Sequence, residues 1–295
     1  MITVKFSLSF EGNEADDNQL DFYDAADALT GFQRSLALTT HLILNGEIIT
    51  QAPALKGARI LIKSPEQGSW KVVTTVGMIM AGAHQLGTAP RDTVLGNLVT
   101  SAYDYVVNET LGFHVDFDKT LGQQYDELRK QRKPIAPKIT QSQMDALIEK
   151  CESSIKEMHR PIYASKTAET AVLRATYRRN PTEIAELDAD TFDYVNLTTQ
   201  IEQPFENTGR VSSYNINTFK GRIFVATEQR PIPFDLAESC RDIFSVQAIT
   251  ESLQRNARDR LGADGEVGFT AFRFESSTGR LKRLLITTVA PRGEN

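Results

Sequence analysis

The chain has 295 residues, of which 40% are hydrophobic and 24% charged, and its formal net charge is −5 at pH 7. This is the composition of a globular protein long enough for two domains. The two cysteines, Cys151 and Cys240, are too far apart in sequence to indicate a disulfide framework or a metal-binding spacing, so we expect buried thiols in a reducing compartment.

The charge is unevenly distributed along the chain. Residues 1–127 carry 16 acidic and 8 basic side chains, a net charge of −8. Residues 128–204 carry 11 acidic and 12 basic side chains, and residues 205–295 carry 11 acidic and 13 basic side chains. We therefore predict three parts: an acidic α+β domain, a basic linker with a helical pair, and a small C-terminal domain that is the better place for a polyanion.

The N-terminal part reads as a β-α-β-β unit. Residues 2–10 alternate strictly, with Val4, Phe6, Leu8 and Phe10 predicted to face a core and the residues between them to face water. A long helix over residues 21–44 begins at Asp21 as N-cap and ends at Asn45-Gly46. Its early aspartates, Asp24 and Asp27, suit the positive end of the helix dipole and are expected to be solvated. Strands follow over residues 58–63 and 69–76.

The most apolar stretch, residues 72–86, is rich in small residues. We interpret it as the end of a strand followed by a buried helix that could serve self-association, so a homo-oligomer is expected. It is too short to span a bilayer, and we predict a cytoplasmic protein with no membrane span, although the sequence does not show whether this stretch ever meets a membrane. A second helix is predicted over residues 93–111.

After that helix comes His114-Val115-Asp116-Phe117-Asp118. On an extended segment the alternation would place His114, Asp116 and Asp118 on one side, which is a candidate metal site. The alternative is the polar side of a half-exposed strand. A basic run at residues 128–133 followed by two prolines is typical of a linker. A helix with a Thr140–Gln143 capping box follows it, and a second helix is predicted over residues 165–179.

The sequence of the C-terminal part predicts three strands, then a helix, then two more strands. This is the element order of the OB-fold, a small barrel that binds oligonucleotides or oligosaccharides. The fold class is therefore α+β, ending in a small antiparallel β-barrel that is OB-like or related. In the fourth strand, Phe272 and Phe274 share one face and Arg273 and Glu275 the other. We expect the phenylalanines in the core and the arginines on a solvated face.

Basic residues beside aromatic residues on a small sheet are also what single-stranded nucleic acid uses. The candidate binding residues on the strands are Arg222, Arg273, Arg280, Lys282 and Arg283. Arg255 and Arg258, three apart on the C-terminal helix, form a second candidate patch.

The sequence contains no phosphate-binding glycine loop, dinucleotide fingerprint, nucleophile elbow, zinc-protease motif or Cys-x-x-Cys pair. It therefore favours a binding protein over an enzyme, with no cofactor. The first hypothesis is a non-catalytic assembly protein that self-associates and presents its small β domain to a protein partner or ligand. The alternatives are a protein that binds single-stranded nucleic acid or nucleotides, and a metal-dependent hydrolase centred on His114.

The opening strand, the segment Leu20-Asp21 to Phe32, and the hairpin residues Gly68-Ser69-Trp70 resemble uncharacterised bacterial proteins, some of which are encoded in phage-defence gene clusters. The resemblance covers the N-terminal third of the chain. It implies a bacterial cytosolic setting and work within a multi-protein antiviral system, and it assigns no site residues.

Overall fold

A computed structural model describes residues 2–62, 70–78, 91–130, 136–177, 180–196, 198–258, 265–276 and 279–291. The chain forms two compact units, Met1–Val195 and Asn196–Asn295. The predicted middle part, residues 128–204, is therefore mostly built into the first unit. Within the described ranges, no helix has the length and apolar character needed to cross a bilayer.

The first unit is a five-stranded antiparallel sheet packed against helices. Its strands lie in the order β2-β3-β1-β4-β5. Helix α2 packs on the sheet, and α1, α2 and α4 pack against one another. The elements are β1 Ile2–Glu11, α1 Phe22–Asn45, β2 Ala58–Ile62, β3 Lys71–Met78, α2 Arg91–Thr110, α3 Gln123–Lys130, α4 Gln141–Met158, α5 Arg160–Tyr163, β4 Thr170–Tyr177, β5 Asn180–Leu187 and α6 Ala189–Asn196.

Strand β1 confirms the predicted alternation on its core side, where its four apolar side chains are fully buried. On the opposite side the prediction is only half correct. Thr3 and Lys5 are exposed, whereas Ser7 and Ser9 are buried. The reason is that β1 is the central strand, so Ser9 lies between Lys71 of β3 and Val172 of β4. Larger neighbouring side chains cover a small hydroxyl there.

The helix ends follow the local signals. Asp21 caps α1 by accepting a hydrogen bond from the backbone of Asp24 at 3.0 Å, and Gly46 ends it with φ of +74°. Thr140 and Gln143 form the complete capping box of α4. In each case a side chain or a left-handed residue satisfies backbone groups that the helix leaves unpaired.

The predicted second helix of the central pair is wrong. Residues 170–177 form β4, which pairs with β1 and β5. Ala171, Leu173 and Ala175 face the core, a spacing of two that the alanine-rich sequence concealed. The predicted linker is also partly wrong because α3 extends to Lys130. Residues 131–135, like residues 79–90 of the apolar stretch, lie outside the described residues.

The second unit is the predicted small barrel. Its five main strands close in the order β7-β8-β9-β11-β10 and back to β7, and β6 pairs with the end of β10. The β9–β11 pairing is parallel and the others are antiparallel. The elements are β6 Thr199–Gln200, β7 Phe205–Asn215, β8 Lys220–Val225, β9 Arg230–Leu236, α7 Ile243–Arg258, β10 Glu266–Glu275 and β11 Leu281–Pro291.

Strand β9 contains two prolines, Pro231 and Pro233, which cannot donate a backbone hydrogen bond. Its pairing with β11 is confined to Phe234–Leu236, whereas Pro231 and Pro233 pair only with β8 in the register. The prolines thus lie in the half of β9 that has a neighbouring strand on one side only. Their missing backbone N–H groups therefore remove no hydrogen bond to a second strand.

Helix α7 packs on the barrel through a face that includes Ile249, with Val246 and Leu253 partly buried against the same core. Ile243 is exposed, and the buried residues are Ser245, Ala248, Ile249 and Ser252. Ser252 donates a hydrogen bond to the carbonyl of Gly265 at 2.6 Å and accepts one from the backbone N–H of Val211 at 3.0 Å. A buried hydroxyl is stable there because both of its bonds are made.

Candidate functional site

The alternation of β10 places its last two phenylalanines on the outside of the barrel. Phe272 and Phe274 are both partly exposed and continue the outward series of the strand. The buried residues alternate with that series: Val267, Phe269 and Ala271. The expectation that Phe272 and Phe274 point into the core is therefore wrong, and two aromatic rings stand on the outer side of the sheet.

The outward residues of the neighbouring strands continue this surface. In the register, Phe274 lies opposite Arg283 and Phe272 opposite Leu285. Leu285 lies beside Asp235 of β9, and Asp235 lies beside Lys220 of β8. We call this set the aromatic–basic face: Lys220, Asp235, Phe272, Phe274, Arg283 and Leu285. It spans four adjacent strands, a width of about 15 Å.

Arg283 connects the aromatic and charged parts of this face. Its guanidinium carbon lies 4.5 Å from the centroid of the Phe274 ring. Its Nη1 donates a hydrogen bond to Asp235 Oδ2 at 3.3 Å. Lys220 Nζ lies 3.8 Å from the other oxygen of the same carboxylate. These three charged groups therefore carry one net positive charge.

Arg273 does not belong to the aromatic–basic face. It lies opposite the fully buried Leu284 of β11, on the core-facing side of the sheet. There it forms an ion pair with Glu275 at 3.2 Å, and its guanidinium carbon lies 5.2 Å from the ring centroid of Phe205. The prediction of a solvated face for Arg273 is wrong, because Arg273 lies on the same side of β10 as the buried Ala271.

The other predicted cations are dispersed. Arg222 lies on the outward series of β8 but is only 2% exposed. Arg280 is exposed in the β10–β11 hairpin, and Lys282 lies at a β-bulge, where its Nζ donates to Thr198 Oγ1 at 2.8 Å. Arg255 and Arg258 are exposed on helix α7, where they were predicted to form a separate patch. Only Arg283 of the predicted set joins the aromatic–basic face.

The predicted metal ligands are not arranged as a site. His114 Nδ1 is 2.8 Å from Glu109 Oε1. Asp116 accepts hydrogen bonds from the backbone of Asp118 and Lys119, at the start of a short π-helical turn. The segment is therefore not extended, as the metal prediction required. Across the described ranges, no three or more His, Cys, Asp or Glu side chains form a group that could hold a metal ion.

A buried carboxylate of the first unit, Asp24, forms an ion pair with Arg160. Asp24 is 4% exposed, although it was predicted to be solvated. It accepts hydrogen bonds from Arg160 Nε at 2.9 Å and from the backbone N–H of Ser165 at 2.9 Å. Arg160 also lies 3.3 Å from Asp27 and 5.0 Å from the ring centroid of Tyr23. The cluster ties the start of α1 to α5 and has the form of a structural tether.

His159, Thr191 and Asp188 come closest to a catalytic constellation. His159 Nε2 is 3.2 Å from Thr191 Oγ1, which in turn is 2.8 Å from Asp188 Oδ1. The hydroxyl also accepts a hydrogen bond from the backbone of Asp188, which caps α6. His159 is fully buried, and this burial lowers its pKa from 6.5 to about 4. A substrate cannot reach the buried imidazole, so the constellation is structural.

The buried thiols behave as expected. Cys151 and Cys240 are both free and buried. Burial raises the pKa of each thiol, that of Cys151 to about 12. Neither has the lowered pKa of a nucleophilic cysteine.

Sequence reasoning missed Asp235, Lys220 and Leu285. The signal that could have found them is the alternation in each strand. The buried Phe234 and Leu236 flank Asp235, and the buried Leu284 and Ile286 flank Leu285. Alternation gives the side of a strand, but the register that brings four strands together is set by the barrel.

Two family models match the chain, and their limits agree with the two units. Residues 6–196 match a domain of unknown function (DUF7946). Residues 203–290 match a family of unknown function (DUF7947). Searches of the curated proteins and of the solved structures found no match. Because the first model covers more than half of the 295 residues, the chain belongs to the DUF7946 family.

Proposed function

We propose that the second unit binds single-stranded nucleic acid on the aromatic–basic face. The observation that carries this proposal is the outward position of Phe272 and Phe274 beside Arg283. Exposed aromatic rings on a sheet stack on unpaired bases, and nearby cations contact the phosphates. The closed five-strand barrel supports the proposal because OB-like barrels commonly bind oligonucleotides.

The ligand is a single strand because of how the rings are presented. Phe272 and Phe274 are two residues apart on one strand, or about 7 Å. Each ring can accept one base only if that base is unstacked from its neighbours. A duplex keeps its bases stacked inside and offers its phosphates to this face. One net positive charge in the Lys220–Asp235–Arg283 group is little attraction for phosphates alone.

The charge distribution favours the second unit over the first. The first 127 residues carry a net charge of −8 and repel a polyanion, whereas residues 205–295 carry +2. Long-range attraction therefore favours the barrel only weakly, and stacking supplies most of the affinity. Binding should accordingly weaken with salt less steeply than for a protein that uses phosphate contacts alone.

The assembly hypothesis receives less support from the geometry. The described part of the stretch predicted to self-associate is β3, which pairs with β1 and β2. The apolar side chains of α2 from Leu95 to Val107 are also buried within the unit. Self-association and the role in a defence system implied by the resemblance stay predictions.

The test is fluorescence anisotropy of a labelled oligothymidylate of about 15 nucleotides, near the upper site size of an OB barrel. We expect Phe274→Ala to weaken binding roughly 5- to 150-fold, the range for losing one base stack. Arg283→Glu should weaken it at least as much. Phe244→Ala is the matched control, because Phe244 is 80% exposed on α7 and is not a member of the aromatic–basic face.

Two results would overturn the proposal. One is that the full chain does not bind the oligonucleotide even at low salt. The other is that Phe244→Ala and Phe274→Ala weaken binding equally, because the aromatic–basic face would then have no special role. Thermal unfolding of each variant should accompany the titration, so that a loss of fold is not mistaken for a loss of binding.

A further inference from the structure

Asp235 is the one acidic residue of the aromatic–basic face, and the barrel holds it in place. The residues on either side of it, Phe234 and Leu236, are 2% and 0% exposed. Its backbone pairs with Lys220 on one side and with Leu285 on the other. A carboxylate at the centre of a face that binds a polyanion opposes that binding, so its presence calls for a physical explanation.

The contacts of Asp235 provide one. It accepts a hydrogen bond from Arg283 Nη1 at 3.3 Å, and the same guanidinium lies over the Phe274 ring at 4.5 Å. An Arg283 held in this way is part of a flat stacking platform. A phosphate oxygen that approaches Arg283 competes with this carboxylate for Nη1 and meets its negative charge. Lys220 is restrained by the other carboxylate oxygen at 3.8 Å.

From this geometry, and resting on the proposed function, we infer that Asp235 is a specificity-determining residue. It makes the aromatic–basic face select unpaired bases over phosphate charge alone. A base gains a stack on the Phe274–Arg283 pair and leaves the ion pair intact. A ligand that offers only phosphates competes with Asp235 for Arg283, is repelled by the carboxylate and gains no stack. Asp235 therefore discriminates against such ligands, and specificity arises from a repulsive element.

The experiment measures two ligands on the same full-length protein. One is the labelled oligothymidylate, and the other is inorganic polyphosphate of comparable charge, which has no bases. Asp235→Asn should strengthen polyphosphate binding roughly fivefold, the factor that corresponds to an ion pair at the upper end of surface values. It should leave oligothymidylate binding unchanged or weaker, so the preference for the oligonucleotide falls at least fivefold.

A second variant tests the opposite half of the inference. Arg283→Lys keeps the charge but removes the planar group that stacks on Phe274. We expect it to weaken oligothymidylate binding and to leave polyphosphate binding within twofold or so of the wild type. Glu238→Gln is the matched control for Asp235→Asn. Glu238 is an exposed carboxylate outside the strands, and its loss changes the net charge by the same amount.

The outcomes separate the two proposals. If the wild type binds oligothymidylate but Asp235→Asn strengthens both ligands by the same factor, Asp235 is only a repulsive charge and the inference is overturned. If Glu238→Gln reproduces the effect of Asp235→Asn, net charge explains it and the inference is again overturned. If the wild type fails to bind oligothymidylate, the proposed function itself fails.

Discussion

His159 gives the sharpest prediction about the first unit, because its burial fixes its protonation state. The side chain is fully buried, with Nδ1 2.8 Å from the carbonyl oxygen of Ile155 and Nε2 facing the Thr191 hydroxyl. Desolvation lowers the pKa of His159 to about 4, against the opposing effects of the Ile155 carbonyl and Asp188. The folded protein therefore contains a neutral imidazole that donates from Nδ1 to the Ile155 carbonyl and has its unprotonated Nε2 beside the Thr191 hydroxyl.

The sign of the pH effect follows from this lowered pKa. Above pH 6.5, the ordinary value, His159 is neutral in both the folded and the unfolded chain. Between that pH and about 4, the unfolded chain binds a proton that the folded chain does not. Stability therefore falls as the pH falls through this window, by up to about 1.4 kcal/mol for each pH unit. From about pH 7 to about pH 5, the loss due to His159 is about 2 kcal/mol.

The assay is urea unfolding followed by tryptophan fluorescence. Trp70 is the only tryptophan and its ring lies 5.7 Å from that of Phe10, so the signal reports the first unit. As the pH is lowered, the free energy of unfolding should fall more steeply in the wild type than in His159→Gln, whose side chain does not titrate. The two proteins should differ by about 2 kcal/mol in their loss between about pH 7 and about pH 5. Parallel pH profiles would refute the reasoning.

Two further predictions use the same fluorescence assay. Asp24→Ala should lower the free energy of unfolding by about 3 kcal/mol, because it removes one partner of a buried ion pair. Asp27→Ala removes a half-exposed contact with the same Arg160 and should lower it by less than about 1 kcal/mol. Equal losses in the two variants would contradict the role of burial. Thr140→Ala should cost about 1 kcal/mol through loss of the α4 capping box, and Thr140→Ser should restore most of it. A Thr140→Ala protein as stable as the wild type would show that the box contributes nothing.

Elements with a complete local signal were predictable from the sequence. The strand that contains Val4 to Phe10 alternates through its whole length, and α4 begins with both members of a capping box. The order of the C-terminal strands was also predictable, because each strand is bounded by turn residues. In these cases the free energy that selects the structure comes from residues close in sequence.

The β4 strand shows where local signals fail. Its alanines fit a helix as well as a strand, and Ala has the highest helix propensity. The choice is made by β1, whose backbone groups pair with β4 over Lys5–Glu11. Asp24 fails for the same reason, since Arg160 lies 136 residues further along the chain. The residues near β4 in sequence do not include β1, and those near Asp24 do not include Arg160. Tertiary contacts therefore determine the structure at both places.

The aromatic–basic face illustrates a conflict between two local rules. Hydrophobicity assigns Phe272 and Phe274 to the core, whereas continued alternation from Val267 assigns Arg273 and Glu275 to that side. Alternation prevails because the side chains of a strand change sides only where an extra residue is inserted, and β10 has no such residue. In both β-bulges of the β10–β11 pair the extra residue belongs to β11. The barrel thus holds two phenylalanines outside and an arginine–glutamate pair inside. A charged pair on the core side, with side chains 35% and 15% exposed, and apolar rings on the outer side both oppose stability. Such a departure from consistent patterning is expected at functional sites, which is why the outer side of β10 and β11 is the part of this molecule where binding should be tested.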